Sequence, residues 1–144
     1  MHTESSNMKP KVTKLILVAA FLIGINANAN ASGDFTLAVS PTSVTVQRGS
    51  NGGSRITLTT KGYCGTVNLV ATVSPNQRYA PTLQIRNYDV YICTDPGFDV
   101  GTTPLTIGTT SKTPTGSYTI TITAKAITGS SVTHTATVTL TVTP

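Results

Sequence analysis

Hydrophobic and polar positions alternate most regularly at the C-terminal end of the chain, over residues 117–143. Tyr118, Ile120, Ile122 and Ala124 alternate with Thr119, Thr121 and Thr123, and then Val132, His134, Ala136, Val138, Leu140 and Val142 alternate with five threonines. A period of two sends successive side chains to opposite faces of a strand, so each run has one dry face and one wet face. Thr128, Gly129 and Ser130 lie between the runs and supply the turn of a long hairpin. A hairpin alone leaves its apolar face in water, so the rest of the chain has to provide a second layer.

Phe35, Leu37 and Val39 alternate with polar or small residues, and after Ser40-Pro41 the pattern resumes at Val44 and Val46. This predicts an edge strand that changes partner or sheet at the proline, where a missing N–H is tolerated. Residues 48–53 read as a glycine-rich turn, Ile56 and Leu58 as the next strand, and Val67, Leu69, Ala71 and Val73 as another after a corner at residues 62–65. Leu83 with Ile85 and Val90 with Ile92 mark two short strands in a stretch broken by Pro75, Pro81 and Pro96, with a bend at residues 87–89. Leu105 and Ile107 start a further strand, and Thr113-Pro114-Thr115-Gly116 turns the chain into the hairpin. No amphipathic helix is visible. Seven or eight short strands at intervals of roughly ten residues predict an all-β, antiparallel β-sandwich. Tyr118 stands two residues after Gly116, placed either to turn its hydroxyl back onto the preceding connection, as in a tyrosine corner, or to sit in the core as an ordinary tyrosine.

The first 31 residues have a different character. Lys9, Lys11 and Lys14 precede an apolar run at residues 15–25, which is followed by Ala27-Asn28-Ala29-Asn30-Ala31. That order is the pattern of a secretory signal peptide. The apolar run falls short of the about 20 residues a membrane-spanning helix needs. Cleavage is expected after Ala31, with Ala29 as the competing site and Met8 as an alternative start. Residues 32–144 remain, enough for one domain. No second apolar segment, cleavage-site cysteine or sorting motif follows, so the expected location is secreted, extracellular or periplasmic, and any hold on the cell surface depends on another molecule. The sequon Asn30-Ala31-Ser32 straddles the cleavage region.

Beyond the signal, Arg48, Arg55, Lys61, Arg78, Arg86, Lys112 and Lys125 stand against Asp34, Asp89, Asp95 and Asp99, a net charge of +3. The cations form no run, which argues against a nucleic-acid partner. Glutamate is absent after Glu4 and threonine is abundant, the surface of a secreted β protein.

Cys64 and Cys93 are the only cysteines, and an even count in an oxidising compartment reads as one disulfide. Closing a loop of about 30 residues would stabilise the fold by ~3 to 4 kcal/mol, and the bond reads as a staple on a local excursion. Tyr63, Tyr79, Tyr88 and Tyr91 gather in one stretch with Arg78, Arg86 and Phe98. These residue types give contact area and hydrogen bonds at interfaces. They would equally suit a sugar ring, or plug the end of a sandwich that lacks tryptophan. Asp89, Asp95 and Asp99 lack the spacing of a calcium loop and read as a solvated turn. His134, the only histidine after the signal, falls on the apolar face without a catalytic partner, and no nucleophile motif is present. A glycosidase pair could only be aspartates in loops. No catalytic residue, metal or cofactor is expected.

The pieces at residues 35–37, 40–46, 56–60, 62–69, 114–122 and 133–142 together resemble the immunoglobulin-like and fibronectin-like modules of prokaryotic secreted and cell-surface proteins. The resemblance covers most of residues 34–73 and 102–143. It implies a sandwich outside the cell that serves spacing, adhesion or binding, and it implies no catalytic residues. Residues 74–101 depart from it, being longer and richer in tyrosine and cysteine than the connection such modules usually have. The expected function is therefore a non-catalytic interaction or adhesion module, with residues 74–99 as its contact surface and a protein or carbohydrate of the cell surface or extracellular matrix as partner. Two alternatives stand beside it. One is self-assembly into an extracellular filament, the strand around residues 34–39 adding to a neighbour's sheet edge; the other is carbohydrate binding through coplanar exposed tyrosines.

Overall fold

The computed structural model describes residues 33–144, and the expected signal peptide lies outside the described residues. Nine strands follow in order: β1 (Asp34–Ser40), β2 (Ser43–Gln47), β3 (Asn51–Lys61), β4 (Gly65–Ser74), β5 (Thr82–Ile85), β6 (Asp89–Ile92), β7 (Val100–Gly108), β8 (Gly116–Ala126) and β9 (Thr133–Thr143). They form a four-stranded sheet, β1-β3-β7-β5, and a five-stranded sheet, β2-β9-β8-β4-β6. The C-terminal hairpin is central to the second sheet, with Tyr118 opposite Leu140, Ile120 opposite Val138 and Ile122 opposite Ala136. Alternation decides what is buried. Tyr118, Ile120, Ile122 and Ala124 face inward with Val138, Leu140 and Val142, against Phe35, Ile56, Leu58, Leu105 and Ile107 of the first sheet. Each fully buried Ile, Leu or Phe contributes roughly 1.5–3 kcal/mol relative to an exposed one.

The strand count rises to nine because the proline-interrupted edge strand is two strands in two sheets. β1 pairs antiparallel with β3 from Asp34↔Lys61 to Ser40↔Arg55. Past Pro41 the chain crosses over, and β2 pairs with β9 in parallel, whereas the other pairings between the nine strands are antiparallel. Ser54 Oγ donates to the Pro41 carbonyl at 2.8 Å and holds the crossing in place. β1 is thus satisfied on one side within its own sheet.

Residues 74–99 make the matching crossing on the opposite flank, which corrects their reading as a local excursion. β5 pairs with the last residues of β7, Thr82↔Gly108 to Ile85↔Leu105. The chain then changes sheets, and β6 pairs with the first residues of β4, Gly65↔Ile92 to Asn68↔Asp89. Leu83, Ile85 and Val90 pack against the core and Ile92 is fully buried. Arg86 N–H donates to the Pro104 carbonyl where β5 leaves β7. A proline inside β7 is tolerated there because the ladder ends on that side.

Two glycines belong to packing and not to turns. Gly52 falls within the turn expected at residues 48–53 but lies in β3, because β3 already begins at Asn51. A Cβ on it would meet Val46 Cγ1 at 2.5 Å, so its bare backbone admits the crossing strand. Gly65 lies under Tyr63, and a Cβ there would meet Thr128 Oγ1 at 2.3 Å and the Tyr63 hydroxyl at 2.7 Å.

Candidate functional site

Strand register separates the aromatic residues of the 63–98 stretch into different places. β4 runs from Gly65, opposite Ile92, to Ser74, opposite Thr119. Ten strand residues span about 30 Å, so the chain passes from one end of the sandwich to the other and back. The end that holds the cysteines is called here the disulfide end, and the opposite one the corner end.

At the disulfide end Cys64 and Cys93 are bonded, one residue outside the paired residues Gly65 and Ile92. Tyr63 is fully buried there, which removes it from any contact surface. Its ring packs 5.7 Å from that of Phe35, and its hydroxyl lies 2.8 Å from the Thr66 carbonyl and 3.0 Å from that of Thr128. It is the plug that closes this end of the core. Tyr91 and Phe98 remain outside it, edge to face at 5.9 Å. The turn carrying Phe98 is pinned by its own backbone: Phe98 N–H donates to the Asp95 carbonyl, Cys93 N–H to that of Phe98, and Thr60 N–H to that of Asp99.

His134 also lies at this end. Its Nε2 is 2.8 Å from Asp34 Oδ1, linking β9 of one sheet to β1 of the other, and its ring sits edge-on to Phe35 at 4.9 Å. The hydrogen bond from His134, with help from the Phe35 backbone N–H, holds the Asp34 carboxyl below the usual carboxylate range. This pair, 100 residues apart in sequence, has no local signature. Asp89, Asp95 and Asp99 do not converge with other ligating side chains; among the described residues no three His, Cys, Asp or Glu do so.

At the corner end Tyr118 is buried and its hydroxyl donates to the Pro114 carbonyl at 2.8 Å. It is both a core residue and a tyrosine corner, so the two readings of its position coincide. Gln77 Nε2 donates to the same hydroxyl at 3.1 Å, and Ala80 N–H donates to the Gln77 carbonyl. The connection between β4 and β5 is thereby tied to the corner. Between these two anchors Tyr79 takes φ 65°, the left-handed region that a bulky residue seldom occupies. The Arg78 guanidinium lies 5.0 Å and the Lys112 ammonium 5.4 Å from the centre of its ring. Such contacts at exposed sites are worth about 0.5–1 kcal/mol each. Lys112 sits on a turn where Thr110 N–H donates to Thr113 Oγ1 and Thr113 N–H to the Thr110 carbonyl. Nothing in its local sequence connects it to Tyr79.

Tyr88 and Arg86 lie between the two ends, on the flank where β5 gives way to β6. The Tyr88 carbonyl accepts from Leu69 N–H, while both side chains point into solvent. The four aromatic side chains of residues 74–99, Tyr79, Tyr88, Tyr91 and Phe98, are all exposed, at 44 to 61 %. The described aromatics outside it, Phe35, Tyr63 and Tyr118, are all buried. Of the exposed rings, Tyr91 and Phe98 meet at 82° and Tyr79 has cations over its ring. Among the described residues no helix is long and apolar enough to cross a membrane.

No protein-family model matches the chain, and no curated protein matches it. Solved structures do. Domains 4 and 5 of the S-layer protein SbsC align over 76% of this chain and 45% of theirs, at 24% identity and a TM-score of 0.52. The sandwich is Ig-like. At this identity the likeness is one of fold, and the chain spans about half the length of the S-layer fragment it matches. The BIgI domain of beta protein from S. agalactiae, solved bound to CEACAM1, aligns over 77% of this chain and 100% of its own at 17% identity and a TM-score of 0.40. A family 123 glycoside hydrolase from Clostridium perfringens aligns over 75% of this chain and 27% of its own, at 11% identity and a TM-score of 0.47. The Cys64–Cys93 disulfide is compatible with an extracellular setting.

Proposed function

We propose that this chain is an exported, non-catalytic interaction module, directed out of the cytoplasm by the signal at residues 1–31 and touching its partners through residues 74–99. One observation carries the reading: every aromatic side chain of that segment faces solvent, and every other described aromatic is buried. Exposed tyrosine and phenylalanine beside arginine are the residue types on which protein interfaces concentrate binding energy. A domain that needed those rings for its core would have turned them inward, as Tyr63 is turned.

The edge-to-face pairing of Tyr91 with Phe98 and the cations over Tyr79 favour a protein partner over a sugar stacked on a flat platform. The outer edge of β1 is open at the rim of its sheet, but β1 is no detached arm, since β3 pairs with all seven of its residues.

The test is retention of the purified domain, residues 32–144, on envelopes of its source cells. Wild type is expected to be retained, and Tyr79→Ala/Tyr88→Ala/Tyr91→Ala is expected to stay folded at about 20 °C, its melting temperature lowered by no more than about 10 °C through the lost ring contacts, and to lose retention. Equal retention of the two proteins would overturn the assignment of the segment.

A further inference from the structure

Resting on that interaction reading, we propose that one partner of the domain is a second copy of itself, the corner end of one copy seating on the disulfide end of the next. The two ends carry opposite charge. Arg48, Arg78 and Lys112 lie at the corner end, near residues paired at the top of β7, β8 and β9, with no aspartate among them. Asp34, Asp95 and Asp99 lie at the other end, with Asp89 toward it and Lys61 and Lys125 as the cations there. Arg78, Lys112, Asp95 and Asp99 form no ion pair; among the described residues the only one is His134 with Asp34.

Each end also offers an exposed ring beside its charges, Tyr79 between two cations and Phe98 between Asp95 and Asp99. A cation of one copy can therefore meet both a carboxylate and an aromatic face of the next. Both patches are fixed before a partner arrives, one by the Gln77 and Thr110–Thr113 hydrogen bonds and the other by the backbone bonds around Phe98. Preformed patches lose less freedom on association. Contacts between like ends bring like charges together, which disfavours a symmetric dimer.

An acidic polymer would match the corner end and leave the Asp95–Phe98–Asp99 end without a role; a second copy uses both. The patches face away from each other along the strands, so a copy bound at one end keeps its other end free. Such a heterologous contact extends into a run of molecules and does not close.

Sedimentation of the disulfide-bonded domain, residues 32–144, from micromolar to millimolar concentration tests this. At about 20 mM salt, where weaker screening lets charges attract over a longer distance than at physiological strength, the average mass should rise past that of a dimer, and at about 500 mM salt it should return to the monomer. Arg78→Ala/Tyr79→Ala/Lys112→Ala and Asp95→Ala/Phe98→Ala/Asp99→Ala change exposed side chains only, and each should stay monomeric alone. Mixed together they should form dimers and nothing larger, because each retains one working end. Wild type that stays monomeric, stops at a dimer, or assembles equally in both salts would overturn the proposal, as would growth of either variant alone. Wild type that is monomeric yet retained on envelopes would overturn it while leaving the interaction module standing.

Discussion

Replacing Cys64 and Cys93 with alanine, or reducing their bond, removes a cross-link between residues 29 apart in sequence. In the chain-entropy account a closed loop of that length restricts the unfolded chain by roughly 3.5 kcal/mol at 25 °C. The loop takes in β4, β5 and β6, so its release frees a part of the chain that contributes to both sheets. The folded state keeps its own support: β4 is paired with β8 over eight residues, and Val67, Leu69 and Ile92 remain buried whether or not the sulfurs are joined. A loss of about 3.5 kcal/mol against a typical stability of 5–15 kcal/mol leaves most molecules folded. At about 4 °C per kcal/mol for a domain of this size, the melting temperature should fall by about 15 °C. Thermal melts followed by far-ultraviolet circular dichroism, with and without reductant, measure this directly. The transition should stay cooperative and the strand signal at 20 °C should be unchanged. Loss of that signal on reduction would refute the reasoning, and so would a shift below about 5 °C.

Further predictions concern single side chains. Tyr118→Phe removes the donor to the Pro114 carbonyl and the acceptor of Gln77, and should lower stability by about 1–3 kcal/mol in denaturant titrations; an unchanged midpoint would mean the corner holds nothing. Gly65→Ala drives a methyl into Thr128 Oγ1 and the Tyr63 hydroxyl and should cost about 1–3 kcal/mol, read from the same titration. The Asp34 carboxyl has its pKa lowered by folding, so its contribution is present above about pH 4, its unfolded value, and disappears as pH falls through the folded value. Wild type should therefore melt above Asp34→Asn at neutral pH, and the two should converge toward pH 2. A gap that widens on acidification would contradict the assignment.

The sheets were legible in the sequence because their cause is local. Alternation over residues 117–143 places Ile120 and Ile122 inside and Thr119 and Thr121 outside before any partner is known, and the proline after Ser40 announces the change of sheet that β1 and β2 make. Tyr118 was legible for the same reason, since Gly116 and the strand start fix its place. What could not be read depends on distant backbone. Tyr63 and Tyr91 stand in similar company, yet one plugs the core and the other faces water, because Tyr63 lies beneath the turn at Thr128 and Tyr91 on the outer face of an edge strand. The approach of Lys112 to Tyr79 depends on the corner bringing two connections together. Gly52 looked like a turn because glycine in sequence does not distinguish a tight bend from a place where a strand must cross closely.

The reading as an exported module is tested most directly by the intact mass and location of the protein recovered from its own cells under non-reducing conditions. It predicts a chain beginning at Ser32, found outside the cytoplasm, two hydrogens lighter than its fully reduced form. A full chain of 144 residues with two free thiols in the cytoplasmic fraction would contradict it.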